Sequence, residues 1–116
     1  MPDLTKPKVL TLEVEIKGRC AIVKCHGKLV SGVAEVLYNQ ARDLMPDYPR
    51  VILDLTDLAR VDSMGLGTLV RLYVHSRSVG SSLELINLGK QVRELLGMTN
   101  LLSVFTVIGE HNIKLG

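Results

Sequence analysis

Ser63 is the residue of this sequence whose side chain and position are best suited to chemistry. It follows the apolar segment "VILDL" and a polar loop, and it precedes an amphipathic helical pattern. The pattern predicts that Ser63 is the N-cap of this helix, where its hydroxyl accepts a hydrogen bond from a backbone N–H. Because the unpaired amides and the helix dipole favour an anion at the same place, a phosphate on this hydroxyl would be well positioned.

Three neighbours of Ser63 belong to the same segment, "VDSMGLGTLV". Asp62 would either orient the serine hydroxyl or bond nearby amides as an ordinary loop residue, and the second interpretation is favoured. Gly65 and Gly67 lack side chains in the first helical turn, at a cost of about 1 kcal/mol each relative to alanine. Either contact with a partner protein or tight packing of the turn against a sheet would offset that cost.

An enzymatic interpretation of the same segment is disfavoured. "VDSMG" superficially resembles the nucleophile elbow of a hydrolase, but Val61 stands where that motif requires glycine. The only histidines that follow are His75, within the next helix, and His111, near the C-terminus. A hydrolytic triad needs a base and an acid brought to the serine. We therefore expect no catalytic residues, and "GLGTLV" matches neither a P-loop nor a dinucleotide fingerprint.

Cysteines and histidines are too scattered to predict a metal site. Cys20 and Cys25 are an odd number of positions apart on a predicted strand, so their side chains should point to opposite faces and remain free thiols. His26, like the other histidines, has no second ligand at a local spacing. We expect neither a metal nor a cofactor.

Hydrophobic periodicity predicts the strands that must position Ser63. "KVLTLEVEIKG" alternates with period two and "CAIVKCHGKL" follows closely, which indicates an antiparallel hairpin turning at residues 17–19. "RVILDL" is almost continuously apolar, as in a central strand covered on both faces, and "TDLARVDSMG" is predicted to be a loop. "SLELINL" and "SVFTVI" are further strands, the second of them at an edge of the sheet.

Three helices are predicted between the strands. The first has Ser31 as its N-cap and ends near Met45, the second ("LGTLVRLYVHSRSVG") is closed by Gly80, and the third ("GKQVRELLG") ends at Gly97. Alternating strands and helices after an opening hairpin predict an α/β fold. We expect a single mixed, mostly parallel sheet of about five strands, with helices packed on it and right-handed crossovers.

Composition limits the classes of protein that the chain can belong to. With 116 residues, 47% of them apolar, it should form one domain over residues 9–116, preceded by an extension over residues 1–8. The net charge of +2 arises from mixed charges without a basic block, so we expect no direct nucleic-acid binding. No apolar stretch reaches the roughly 20 residues of a membrane span, which favours a soluble, cytoplasmic protein without a membrane partner.

From about Cys20 to Ile108 the chain resembles the STAS domain, named for sulfate transporters and anti-sigma factor antagonists. The resemblance is carried by "HGKL", by "VILDLTDLARVDSMGLGTLV" and by "LELINLGKQVRELLGMTNLLSVFTV". It implies an anti-sigma factor antagonist, a non-enzymatic protein of the cytoplasm that controls transcription by exchanging partners. The unmodified domain would bind an anti-sigma factor that is also a serine kinase, and phosphorylation at the position matching Ser63 would end that binding.

The resemblance also implies which residues meet the partner. Besides the phosphorylated Ser63, the expected partner-binding residues are Asp62, Met64, Gly65, Leu66, Gly67, Val30 and Ser31. A serine phosphatase is a further expected partner, and the free domain is expected to be a monomer or a weak homodimer. Desolvating a phosphate of about −1.5 to −2 charges at this neutral and apolar surface would weaken the complex.

Two positions depart from the pattern of the family. Val30 stands where many members have an acidic residue near the phosphorylation loop, and Met64 follows the serine where the best-known antagonists often have another serine. The first departure supports an alternative in which the domain is a non-phosphorylated scaffold or an interaction module of a larger signalling assembly. The second makes the expected docking surface more apolar.

Overall fold

A computed structural model describes residues 9–101 and 105–107 of the chain. Its strands are β1 (Leu10–Lys17), β2 (Cys20–Leu29), β3 (Arg50–Val61), β4 (Ser82–Ile86) and the two-residue β5 (Thr106–Val107). They form one sheet in the order β1-β2-β3-β4-β5. β1 pairs with β2 antiparallel, and the other neighbours are parallel. The predicted mixed sheet with its opening hairpin is confirmed.

Three helices connect the parallel strands: α1 (Ala34–Leu44), α2 (Ser63–Val79) and α3 (Lys90–Met98). Each of them contributes buried apolar side chains to the larger hydrophobic core, where they meet one face of the sheet. α2 ends at Val79 and is closed, as predicted, by Gly80, whose left-handed conformation (φ 74°) is one that glycine adopts without a steric penalty.

Alternation along the strands divides the core between the two faces of the sheet. Val23 and Leu53 belong to the larger cluster shared with the helices, whereas Ile22 and Ile52 belong to a smaller cluster on the opposite face. Burying each of these side chains contributes about 1.5–3 kcal/mol. Cys25 lies in the larger cluster and Cys20 in the smaller one, and both are free thiols, in agreement with their predicted opposite orientation.

The predicted loop after the central strand is largely wrong. β3 continues to Val61, because residues as far as this one pair with β2 through two register shifts and because Leu58 and Val61 are buried. Polar residues such as Thr56 suggested a loop. The carboxylate of Asp54 accepts hydrogen bonds from both the N–H and the hydroxyl of Thr56, so these polar groups are satisfied within the strand. The connection from β3 to α2 is consequently the single residue Asp62.

The predicted start of α1 is also wrong. Ser31 is not its N-cap: the helix begins at Ala34 after Val33, and that end has no side-chain cap. Instead, the N–H groups of Val33 and Ala34 both donate to the carbonyl of Val30 and form a turn before the helix. The predicted extension over residues 1–8 and the remainder of the last strand at residues 103, 104 and 108 lie outside the described residues. The single domain over residues 9–116 stays a prediction.

Candidate functional site

Asp62 and Ser63 lie where β3 passes directly into α2. Asp62 has an extended backbone (φ −101°, ψ −175°), and its carboxylate accepts a hydrogen bond from the N–H of Gly65 at 2.8 Å. Asp62 is therefore the N-cap, and Ser63 is the first residue of the helix. The prediction that Ser63 is the N-cap is wrong. The aspartate is the stronger candidate for this role because its charge also interacts favourably with the helix dipole.

The second carboxylate oxygen of Asp62 accepts a hydrogen bond from the N–H of Ser31 at 2.9 Å. In addition, the N–H of Asp62 donates to the carbonyl of Leu29 at 3.3 Å. The N–H groups of Ser31 and Gly65 hold the pKa of the Asp62 carboxyl below its ordinary value, because they stabilise the charged form. The interpretation of Asp62 as a residue that bonds nearby amides is confirmed.

These hydrogen bonds leave little room for a second anion at the helix terminus. The N–H groups of Gly65 and Met64 both interact with the Asp62 carboxylate. The amides expected to favour a phosphate on Ser63 are thus already used by the aspartate. A phosphate on this hydroxyl would instead lie beside the negative charge of Asp62, so the electrostatic potential of the surface would become more negative.

Ser63 is exposed, and within the described part of the chain its hydroxyl has no hydrogen-bond partner. Its neighbour Met64 is 60% exposed. Both lie at a groove of about 230 Å³ between the starts of α1 and α2. The groove is lined by Ser31, Gly32, Ala34, Glu35, Ser63, Met64, Gly67, Thr68 and Arg71. A hydroxyl in this position is accessible to a modifying enzyme or a docking protein.

The two glycines of the segment have different roles. A Cβ atom on Gly65 would lie 2.0 Å from the carbonyl oxygen of Leu29, so this position requires glycine for close packing of α2 against β2. Apart from its chain neighbours and the backbone of α2, no atom lies within 4 Å of the place that a Cβ on Gly67 would take. Packing therefore explains Gly65, whereas only at Gly67 does the missing side chain leave open space for a partner.

The remaining residues expected to meet a partner are distributed over two sides of the site. Ser31 borders the groove of Ser63 and also a separate cleft of about 550 Å³, to which Val30 and Asp62 contribute. Leu66 is half-buried and packs against the larger core. The structure therefore brings Ser31, Asp62, Ser63, Met64 and Gly67 together, and it turns Leu66 toward the interior.

Two charged residues of the groove were not among the expected partner-binding residues. The guanidinium of Arg71 on α2 donates two hydrogen bonds, of 3.0 and 3.2 Å, to the carboxylate of Glu35 on α1. The same guanidinium lies over the ring of Tyr38, 4.0 Å from its centroid. Glu35 and Arg71 are 36 positions apart, so no local spacing in the sequence signals their contact.

The family model of the STAS domain matches residues 11–113. The chain belongs to the STAS family. Solved structures agree with this domain in fold. An anti-sigma factor antagonist from Mycobacterium paratuberculosis superimposes with a TM-score of 0.78 at 21% identity, over 95% of this chain and 92% of that one.

Three further structures show the range of proteins that share this fold. The anti-sigma factor antagonist SpoIIAA in its unphosphorylated form has a TM-score of 0.74 at 16% identity, over 88% of the STAS domain and 90% of SpoIIAA. The phosphorylated form of SpoIIAA from Bacillus gives 0.71 at 15% identity, over 88% and 93%. A sulfate transporter family protein from Wolinella succinogenes gives 0.73 at 17% identity, over 84% and 81%. Among the helices described for this STAS domain, none has the length and apolar character of a membrane span.

Proposed function

We propose that this STAS domain is an anti-sigma factor antagonist. In this proposal its unmodified form binds an anti-sigma factor with serine kinase activity, and phosphorylation of Ser63 ends the binding. The observation that carries the proposal is the exposed, unbonded hydroxyl of Ser63 at the first position of α2, beside the exposed Met64. A kinase can reach this hydroxyl without unfolding the domain, and a partner can cover it.

The electrostatics of the site support a switch of this kind. Phosphorylation adds about −1.5 to −2 charges at neutral pH. The nearest helix amides are occupied by the Asp62 carboxylate, whose lowered pKa keeps it charged at that pH. Two neighbouring anions at the centre of a docking surface would both have to be desolvated on binding, and this cost weakens the complex.

The similarity to SpoIIAA supports the same proposal, because that antagonist has been solved in unphosphorylated and phosphorylated forms. In this proposal the protein acts in the cytoplasm, where ATP is available to the kinase. It regulates transcription through protein contacts and not through catalysis or direct binding of nucleic acid. A serine phosphatase would restore the unmodified form, and the free domain would be a monomer or a weak homodimer.

Phosphorylation in vitro tests the central part of the proposal. The protein is incubated with a candidate anti-sigma factor kinase from the same organism and with ATP, and phosphopeptides are mapped by mass spectrometry. We expect modification of Ser63 in the wild type and none in Ser63→Ala. Binding to the anti-sigma factor, measured by calorimetry, should fall at least tenfold after phosphorylation and in Ser63→Asp. Phosphate at another residue, or equal affinity of both forms, would contradict the switch.

A pair of methionine variants tests where the partner docks. Met64 beside the serine is 60% exposed, and Met98 at the end of α3 is 81% exposed, so replacing either with serine should change the free energy of unfolding by less than about 0.5 kcal/mol. We expect Met64→Ser to weaken binding of the anti-sigma factor and Met98→Ser to leave it unchanged. Equal effects of the two substitutions would place the docking surface elsewhere.

Val30 favours a second candidate function, that of a scaffold or interaction module without phosphorylation. Its apolar side chain lines the 550 Å³ cleft on the other side of Ser31 from the Ser63 groove. A scaffold that docks through this cleft would not depend on the charge of Ser63. If Ser63→Ala and Ser63→Asp both bind the natural partner as tightly as wild type, the scaffold is the correct function.

A further inference from the structure

Ser63 and Arg71 border the same groove along one side of α2. They are eight positions apart in the helix, which corresponds to a rise of about 12 Å. Gly67 lies between them, and apart from its chain neighbours and the backbone of α2 no atom lies within 4 Å of the place where a Cβ would be. Ser63 and Arg71 therefore share one groove, and no side chain at position 67 separates them.

Within the described part of the chain, Arg71 contacts the exposed Glu35 and the half-buried Tyr38. Its bidentate partner Glu35 has a side chain 59% exposed, and that of Arg71 itself is 52% exposed. Water competes for both charges of an exposed ion pair, so this one is weaker than a buried pair, although its bidentate geometry strengthens it. The ring of Tyr38 lies beneath the guanidinium, 4.0 Å from it, and its face attracts the cation.

We propose that phosphorylation of Ser63 draws the guanidinium of Arg71 from Glu35 to the phosphate. Arg71 then binds the phosphate, and its ion pair with Glu35 is broken. This inference rests on the proposed function, since it concerns the phosphorylated form of the same site. A phosphate dianion attracts a guanidinium more strongly than a carboxylate does, and its oxygens accept the paired N–H groups of arginine equally well.

The neighbouring hydrogen bonds favour Arg71 over other donors. The backbone N–H groups of Gly65 and Met64 are directed at the Asp62 carboxylate and do not offer the phosphate an uncontested site. Arg60 is the other nearby cation. Its charge helps to lower the pKa of the Asp62 carboxyl, and its side chain lines the separate 550 Å³ cleft. Among the described residues that line the groove of Ser63, Arg71 is the cation.

Movement of Arg71 from Glu35 to the phosphate changes the surface of α1 as well as that of α2. Glu35 belongs to the first turn of α1, so its release removes the ion pair that links α1 to α2 and adds an unpaired negative charge to the rim of the groove. A partner that docks across both helices would then meet a changed charge pattern on each of them.

The test uses full-length protein with phosphoserine inserted at position 63 during translation, so that no kinase is needed. The second pKa of the phosphate, ordinarily about 6, is measured by ³¹P NMR titration. A guanidinium at the phosphate should lower this pKa by roughly 0.5 to 1 unit relative to Arg71→Gln, which is at or below the lower limit for an acid beside an arginine, because the site is exposed. Arg71→Lys should retain part of this difference, since it keeps the charge but not the paired donors.

Two matched variants serve as controls: Arg60→Gln at the other cleft and Arg77→Gln in the last turn of α2. Both should titrate like wild type. A second readout is the carboxyl pKa of Glu35, which Arg71 lowers in the unmodified protein and which should rise toward its ordinary value after phosphorylation.

An identical phosphate titration in wild type and Arg71→Gln, or loss of the shift in Arg60→Gln, would overturn the inference. An unchanged Glu35 pKa after phosphorylation would overturn it as well. Failure of the proposed function gives a different result, because an anti-sigma factor that neither phosphorylates Ser63 nor distinguishes the two forms leaves these titrations unaffected.

Discussion

The carboxylate of Asp62 and the N–H of Ser31, 31 positions apart in the chain, are joined by a hydrogen bond of 2.9 Å. Since the same carboxylate caps α2 through Gly65, one side chain connects the turn before α1 to the start of α2. Ser63 is the residue immediately after it. The position of the candidate phosphorylation site therefore depends on Asp62 as much as on the helix itself.

Replacing Asp62 with alanine should destabilise the domain and disturb the groove. The substitution removes an N-cap and the bond to Ser31, and we expect the unfolding temperature to fall by roughly 5 °C. Thermal unfolding followed by circular dichroism measures this change. Asp43→Ala, which removes an exposed carboxylate whose bond is to its neighbour Arg42, is the matched control and should have little effect. A similar loss in both variants would argue against the special role of Asp62.

The free energy of unfolding should depend on pH partly through the titration of Asp62. Its carboxyl pKa is lower in the folded state than in the unfolded state, where it is about 3.9. The resulting stabilisation is present above the unfolded pKa and is lost as the pH falls through the folded pKa. Urea unfolding of wild type and Asp62→Asn between pH 2 and 7 should therefore show their difference shrinking below about pH 4. A difference that grows at low pH would contradict the assignment.

The two glycines of α2 should respond oppositely to alanine. Gly65→Ala forces a methyl group onto the Leu29 carbonyl and should lower the free energy of unfolding by about 1–3 kcal/mol or more. Gly67→Ala adds a methyl group in open space and should stabilise the helix by up to about 1 kcal/mol. Urea denaturation of both variants measures these changes. Loss of partner binding in the stabilised Gly67→Ala would then locate a docking contact at this residue.

Cys25 should be inert toward thiol reagents in the folded protein. Burial raises the pKa of its thiol to about 12, with the Asp54 carboxylate adding to the shift. Only the thiolate reacts, so alkylation by iodoacetamide at pH 7.5 should be undetectable until the protein unfolds. Peptide mapping after mild alkylation, with and without urea, provides the measurement. Rapid labelling of native Cys25 would show that its side chain is accessible.

Local patterns predicted most of the framework around the site. Period-two alternation in the opening hairpin, the continuous apolar run at the start of β3 and the helical spacing that ends at Gly80 each reflect burial along a single element, and the structure confirms them. The same reasoning failed over residues 56–61. Their polar side chains resemble those of a loop, yet β3 continues to pair with β2 there through two register shifts, at each of which β3 contains one extra residue.

The sequence by itself determined the class of fold, the order of its elements and the location of Ser63 at the start of a helix, because these depend on residues close together in the chain. Only the tertiary structure decided that Asp62 rather than Ser63 caps the helix, that Leu29 excludes a side chain at Gly65, and that Glu35 holds Arg71. Each of these contacts joins segments distant in sequence or depends on which of two neighbours reaches an amide. Packing of α1, α2 and the ends of β2 and β3 sets these distances, and no local pattern records them.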